Sequence, residues 1–116
     1  MPGKPTRAKG RRGQTEALNL LRDRDWTVAD LSAGVDSEDG LACDPEGQYW
    51  AVEVKNCASI LPAHLNQARN QARKRKLPWM LMSRIQGDRH RPSAWLVQRQ
   101  GKAPVVWRNQ TEIPEC

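Results

Sequence analysis

The chain has little of what disulfide frameworks, imidazole-built metal centres and membrane spans require. Its three cysteines, Cys43, Cys57 and Cys116, are odd in number and nowhere spaced as CxxC. That argues against a disulfide scaffold and a structural zinc cluster, and for a reducing compartment. Only two histidines are present, His64 and His90, too few for a histidine-driven triad or a His-based metal site. No apolar run approaches the ~20 residues of a membrane span. The basic N-terminus is followed by no hydrophobic secretion segment. The expected location is cytoplasmic, with no membrane contact.

Acidic residues are also scarce, but only in places. Of 116 residues, 19 are Lys or Arg and 13 Asp or Glu, for a net charge of +6. The first twelve positions hold five cations (Lys4, Arg7, Lys9, Arg11, Arg12) and no acid, while nine of the thirteen acids fall between Asp23 and Glu53. From Val54 to Arg108 twelve cations face one acid, Asp88. Surfaces without a polyanionic partner usually mix their signs. Segregated positive charge is the footprint of a nucleic-acid binder. The acidic island is compatible with phosphate only when a cation lies between, which points to a metal.

What is present reads as one α/β domain with a modest core, hydrophobic content being 38%. Residues 1–13 read as a flexible basic arm, with Pro2, Gly3, Pro5, Gly10 and Gly13 among the cations. A helix is expected over 14–24, with Thr15 as a cap and Glu16 in the first turn. Short strands follow at Trp26–Leu31, "LAC" and "YWAVEVK", with a Ser/Gly/Asp loop and a "DPEGQ" turn between them. A second helix is predicted from Pro62 to Lys76, and a buried strand from Pro78 in "PWMLMSR". "IQGDRHRPS" reads as a basic loop, "AWLVQR" and "PVVWR" as a last pair of strands, and 109–116 as a tail. The domain is thus 14–108, in the order α-β-β-β-α-β-β-β.

The chemistry collects around "YWAVEVK". Alternation sends Trp50, Val52 and Val54 to one side, and Ala51, Glu53 and Lys55 to the other. A bland reading leaves Glu53 and Lys55 merely wetted where the strand enters solvent. Asp39, fourteen residues before Glu53, stands across the tight turn and can approach it in an antiparallel pair. Glu16 and Gln67 add polar groups from the two helices. Such an oxygen-rich pocket beside an ammonium suits a hard divalent ion. Bland alternatives stand beside several of these. Glu16 also reads as a dipole-stabilising residue, Gln67 as solvated, and Ser32 with Gly34 as a turn former. Trp50, Trp79, Trp95 and Trp107 read as core or interface residues rather than base-stacking platforms.

Over about residues 9–98 the chain resembles the PD-(D/E)xK nuclease superfamily, and within it the archaeal-type and phage Holliday junction resolvases. "KGRRGQTEALNLLRDRDW" is similar to the family's basic opening and first helix, "LSAG" to its Ser-Gly loop, and "VEVK" to its Glu-x-Lys strand. "HLNQARNQA" resembles the following helix and "PWMLMSRI" the next core strand. The resemblance implies a restriction-endonuclease-like fold, a central mixed β-sheet flanked by helices. It implies magnesium-dependent hydrolysis of DNA, manganese being able to substitute, in recombination and repair. Asp39 and Glu53 would ligate the ion with help from Glu16; Lys55 would orient the attacking water and Gln67 support the site. DNA would be met by Lys9, Arg11, Arg12, Ser32, Arg69, Arg73 and Lys74. Glu38 stands where the family has Pro, which leaves Asp36 as a rival for Asp39, and Gln71 rivals Gln67. The implied partner is a four-way junction, cut by a homodimer whose interface would use Trp79, Met80, Met82, Trp95 and Trp107. Alternatives are a related nuclease of flaps, ends or duplex, and a non-catalytic nucleic-acid-binding protein on the same fold.

Overall fold

The computed structural model describes residues 3–30, 40–56, 62–88 and 91–108, with the backbone alone for 3–12, 30, 86–88 and 91–93. The order is α1 (Gly3–Arg22), β1 (Thr27–Asp30), β2 (Gly40–Cys43), β3 (Tyr49–Lys55), α2 (Pro62–Arg75), β4 (Trp79–Asp88), β5 (Arg91–Arg99) and β6 (Val105–Arg108). The strands form one six-stranded sheet in sequence order. Neighbours are antiparallel except β3 and β4, which run parallel. A parallel pair needs a crossover, and α2 supplies it. The sheet is therefore mixed and flanked by helices, and β4 is central, between β3 and β5.

Both helices end alike. Asp25 (φ 69°) and Lys76 (φ 59°) adopt the left-handed conformation just past α1 and α2. The next amide in each case, Trp26 or Leu77, donates back five residues, to the carbonyl of Leu21 (3.1 Å) or Ala72 (3.0 Å). This is the Schellman closure, which satisfies a last-turn carbonyl and turns the chain sharply. Each helix is thereby aimed directly into a strand, β1 or β4.

The two helices cover opposite faces of the sheet. Ala17, Leu18, Leu20 and Leu21 of α1 share one core with Trp50, Val52 and Val54 of β3, Met80 and Met82 of β4, and Trp95 and Val97 of β5. The alternate residues, Ala51, Glu53, Leu81 and Ser83, are buried on the other face. There α2 packs on β3 and β4, burying Ala68, Gln71 and Ala72. On the α1 side the sheet curls until its two ends meet. Trp26, just before β1, makes an edge-on contact with Trp107 of β6 at 6.0 Å between ring centroids. Arg24 stacks on Trp107 at 4.8 Å and donates to the Arg108 carbonyl at 3.4 Å.

Three expectations need correction. Residues 3–13 are helical rather than a flexible arm, so Thr15 is no cap and Glu16 lies well inside α1. Pro5 sits in the first turn, where a missing N–H costs nothing. Gly13 is small because the chain end of β3 comes so close: a Cβ there would stand 2.6 Å from Asn56 Cβ. The basic loop expected over 85–93 is mostly strand, since β4 runs to Asp88 and β5 starts at Arg91, with register shifts after Arg84 and Gln86. Bulges absorb the awkward residues there without ending the pairing. Finally, the interface expected on the late apolar residues is largely core: Met80, Met82 and Trp95 are fully buried within their own chain. The tail, 109–116, lies outside the described residues.

Candidate active site

The site begins with a carboxylate that burial makes costly. Glu53 is 4% exposed on the α2 side of β3, so the expectation of a wetted strand end does not hold. An ionised carboxylate in such a place costs several kcal/mol unless it is paired. Lys55, two residues along and on the same face, provides the charge: its Nζ stands 3.4 Å from Glu53 Oε2. The ammonium also donates to Gln67 Oε1 across to α2, at 2.9 Å. The 2.9 Å bond fixes the lysine, while its ion pair with Glu53, at 3.4 Å, is longer than a charge-assisted hydrogen bond of about 2.8 Å. Sequence reasoning left Gln67 and Gln71 open. Gln67 is exposed and bonded to Lys55, whereas Gln71 is 8% exposed beneath α2.

Glu16 comes to the same end of the sheet but on the opposite face. It lies one helical turn from Gly13, which abuts Asn56, the residue after Lys55. Its Oε2 accepts a 2.7 Å hydrogen bond from the indole N–H of Trp95. The described contacts therefore unite Glu53, Lys55 and Gln67, and hold Glu16 apart with Trp95. Among the described residues no three His, Cys, Asp or Glu side chains come together as a metal cluster.

Asp39, its rival Asp36, and Ser32 lie outside the described residues. What is described is the strand that Asp39 precedes. Gly40 pairs with Val52, one position from Glu53. That register is pinned at the turn by Asp44. Its Oδ1 accepts from the amides of Glu46 and Gln48, both at 2.9 Å, and its Oδ2 from the Trp50 indole at 3.1 Å. Burial raises the Asp44 pKa. The hydrogen bonds from Gln48, Trp50 and Glu46, with the charge of Lys102, outweigh that and hold it below its ordinary value of 3.8.

Of the expected DNA contacts, Arg69, Arg73 and Lys74 are exposed on α2, and Lys9, Arg11 and Arg12 lie in the first half of α1. Sequence reasoning missed Ser83. It is fully buried beside Lys55 in the β3–β4 register, and its hydroxyl has no hydrogen-bond partner among the described residues. A buried hydroxyl normally has one. The available signal was a hydroxyl directly after four apolar residues at the start of β4, on the Glu53 face.

No protein-family model matches the chain, and no curated protein matches it. Among solved structures, it is similar to Archaeoglobus fulgidus Hjc, a Holliday junction resolvase from an archaeal hyperthermophile. The TM-score is 0.54 at 20% identity, covering 78% of this chain and 76% of that one. A VRR_NUC domain superposes with a TM-score of 0.42 at 28% identity, covering 60% of this chain and 77% of that one. The likeness to Hjc gives the chain its fold, the α/β arrangement expected from the sequence.

Proposed function

We propose that the protein is a magnesium-dependent endonuclease that resolves four-way DNA junctions. The observation that carries this reading is the buried Glu53 carboxylate, ion-paired with Lys55 whose ammonium is tied to Gln67, on a fold shared with a junction resolvase. Burying a charge in this manner weakens a fold, so a structural role alone is a poor account of it.

The donors fit a hard cation, because they are carboxylate oxygens. Glu53 and Asp39 would hold it, Asp39 being peptide-bonded to the glycine that pairs with Val52. Glu16 would assist from α1 after release from Trp95. When bound, the ion supplies Lewis acidity to a phosphoryl oxygen and to the attacking water. Lys55, oriented by Gln67, positions that water against the phosphorus. As the water oxygen bonds to phosphorus it would give up a proton to solvent. One P–O bond to a sugar would break with its electron pair going to the sugar oxygen, and that oxygen would take a proton from solvent, leaving a phosphate end and a hydroxyl end.

Junction resolution requires two cuts on opposed strands. One chain offers one Glu53–Lys55 pair, so two chains related by a two-fold axis are required. The uneven charge supports DNA as the partner: cations dominate both α2 and the second half of the chain. The test is a cleavage panel of four-way junction, flap, single strand and duplex, with and without magnesium or manganese, for wild type and Glu53→Gln. Paired nicks on the junction, absent without the ion and absent in the variant, are expected. Cutting by Glu53→Gln at the wild-type rate would overturn the site. Cutting that ignores the junction would leave a nuclease of flaps, ends or duplex. Binding without cutting under every condition would leave the non-catalytic reading.

A further inference from the structure

A second feature lies at the other end of α2, away from Glu53 and Lys55. A cavity of about 490 Å³ is lined by Arg69, Ala72 and Arg73 of α2, Leu77 of the turn that follows, Trp79 at the start of β4, and Gln100 just past β5. Its volume falls in the usual range of small-ligand sites, about 300–1,000 Å³. Among the described residues no carboxylate lines it. Arg69 and Arg73 are four residues apart, hence on one helix face, and both are exposed. The Arg69 guanidinium stands 5.8 Å from the centroid of the Trp79 ring. That cation–π contact holds the charge against the cavity wall rather than free in solvent.

Trp79 is itself fixed. Its backbone N–H donates to Gln100 Oε1 at 3.3 Å, and its carbonyl accepts from the Gln100 amide at 3.0 Å. The main chain of Trp79 is therefore fixed, and its half-buried indole shares the cavity lining with two guanidiniums, neither ion-paired among the described residues, and with the apolar Leu77. A bare anion would use the arginines and leave the indole idle. An apolar ligand would bury two charges without partners. A ligand that satisfies both has a phosphate at one end and a flat apolar ring at the other.

We propose that this cavity binds one unpaired nucleotide of a DNA substrate, its phosphate on Arg69 and Arg73 and its base against Trp79. The proposal rests on the reading of the chain as a DNA nuclease and adds a substrate feature to it. Trp79 pairs with Ala51 and Ser83 with Lys55, so the cavity is displaced from Lys55 by four residues along parallel strands. At ~3.3 Å per residue that is about 13 Å, or about four base steps of duplex at 3.4 Å each. A nucleotide held here belongs to the same DNA as the cut phosphate, a short way along. DNA with a displaced base near the cut is then bound better than fully paired DNA.

The test compares binding of a fluorescently labelled duplex with the same duplex carrying one unpaired nucleotide. Wild type, Trp79→Leu and Arg69→Gln/Arg73→Gln are measured across a salt series. Stacking on an aromatic ring predicts that wild type binds the unpaired form at least five-fold tighter. In Trp79→Leu the ratio should fall below two. In the double arginine variant it should also collapse, and the salt slope should flatten by about one to two. The arginines are exposed, so that variant folds even if Trp79→Leu does not, which thermal melting checks. A wild-type ratio near one, or a ratio that survives both variants, overturns the cavity as a nucleotide site while junction cutting stands. If wild type binds no DNA at all, both readings fall together.

Discussion

Beneath α1 the sheet presents Trp50, Val52, Val54, Met80, Met82, Trp95 and Val97, packed on leucines; beneath α2 it presents Ala51, Glu53, Leu81 and Ser83, covered by alanines and a glutamine. Both faces of β3 are buried, yet only one is built for stability. Small residues on α2 let the helix come close to the strands, and the closeness lets Gln67 reach Lys55. The apolar face supplies the favourable burial that a 4% exposed carboxylate on the other face subtracts. The division of labour runs through a single strand, one residue apart.

Glu53→Gln should break the comparison most sharply. It keeps the shape of the α2 face and removes its charge, so cutting should fall by about three orders of magnitude or more. Chemical denaturation should show little change in stability, because the buried charge is gone while the Lys55 ammonium, its side chain 23% exposed, keeps its bond to Gln67 and its access to water. Leu21→Ala does the reverse on the α1 face. The side chain is fully buried, and its loss should cost about 2–5 kcal/mol by urea unfolding while cutting per folded molecule is retained.

A finer division separates the two glutamines of α2. Gln67→Ala should lower the cleavage rate about ten-fold, as loss of an orienting hydrogen bond does elsewhere, with little change in melting temperature. Gln71→Ala should lose about 1–2 kcal/mol of stability, since its side chain is buried, without a specific loss of rate. Equal effects of the two substitutions would remove the distinction.

The smallest effect belongs to the turn that sets the β2–β3 register. Asp44 titrates below 3.8 in the folded chain. Its unfolded pKa is the higher of the two, so its contribution is complete above about pH 5 and is lost as pH falls through the folded value. Asp44→Asn should cost about 1 kcal/mol at neutral pH, and denaturation curves of the two proteins should converge only as pH falls through the folded value, below 3.8.

Much of this was legible beforehand where local pattern and packing agree. The third strand falls on 49–55 as read, because aromatic and β-branched residues alternate there, and α2 spans 62–75 against an expected 62–76. The first helix was misread because Gly10, Gly13 and Pro5 suggest a flexible arm. Gly13 answers to a close approach by Asn56, a residue 43 positions away that no local pattern reveals. The strands around residues 85–93 were misread because bulges permit Gly87 and Pro92 inside a ladder. At the site, the Glu-x-Lys pair could be read from alternation, whereas the engagement of Glu16 by Trp95 could not, since 79 residues separate them.

The contact between Trp26 and Trp107 joins the two ends of the sheet across 81 positions of sequence. Chains are made from the N-terminus, so α1 is synthesised well before Trp95 and Val97 of β5, which share its core, and before Val105 and Trp107 of β6, which pack against that core. Until residue 107 has cleared the ribosome, the leucines of α1 have only part of their cover. A nascent chain must therefore carry the apolar side of that helix unfinished until β6 has emerged, and non-local closure of this kind is slow. This domain should acquire its protection from proteolysis in one late step, once β6 is in place, rather than in stages as the chain emerges.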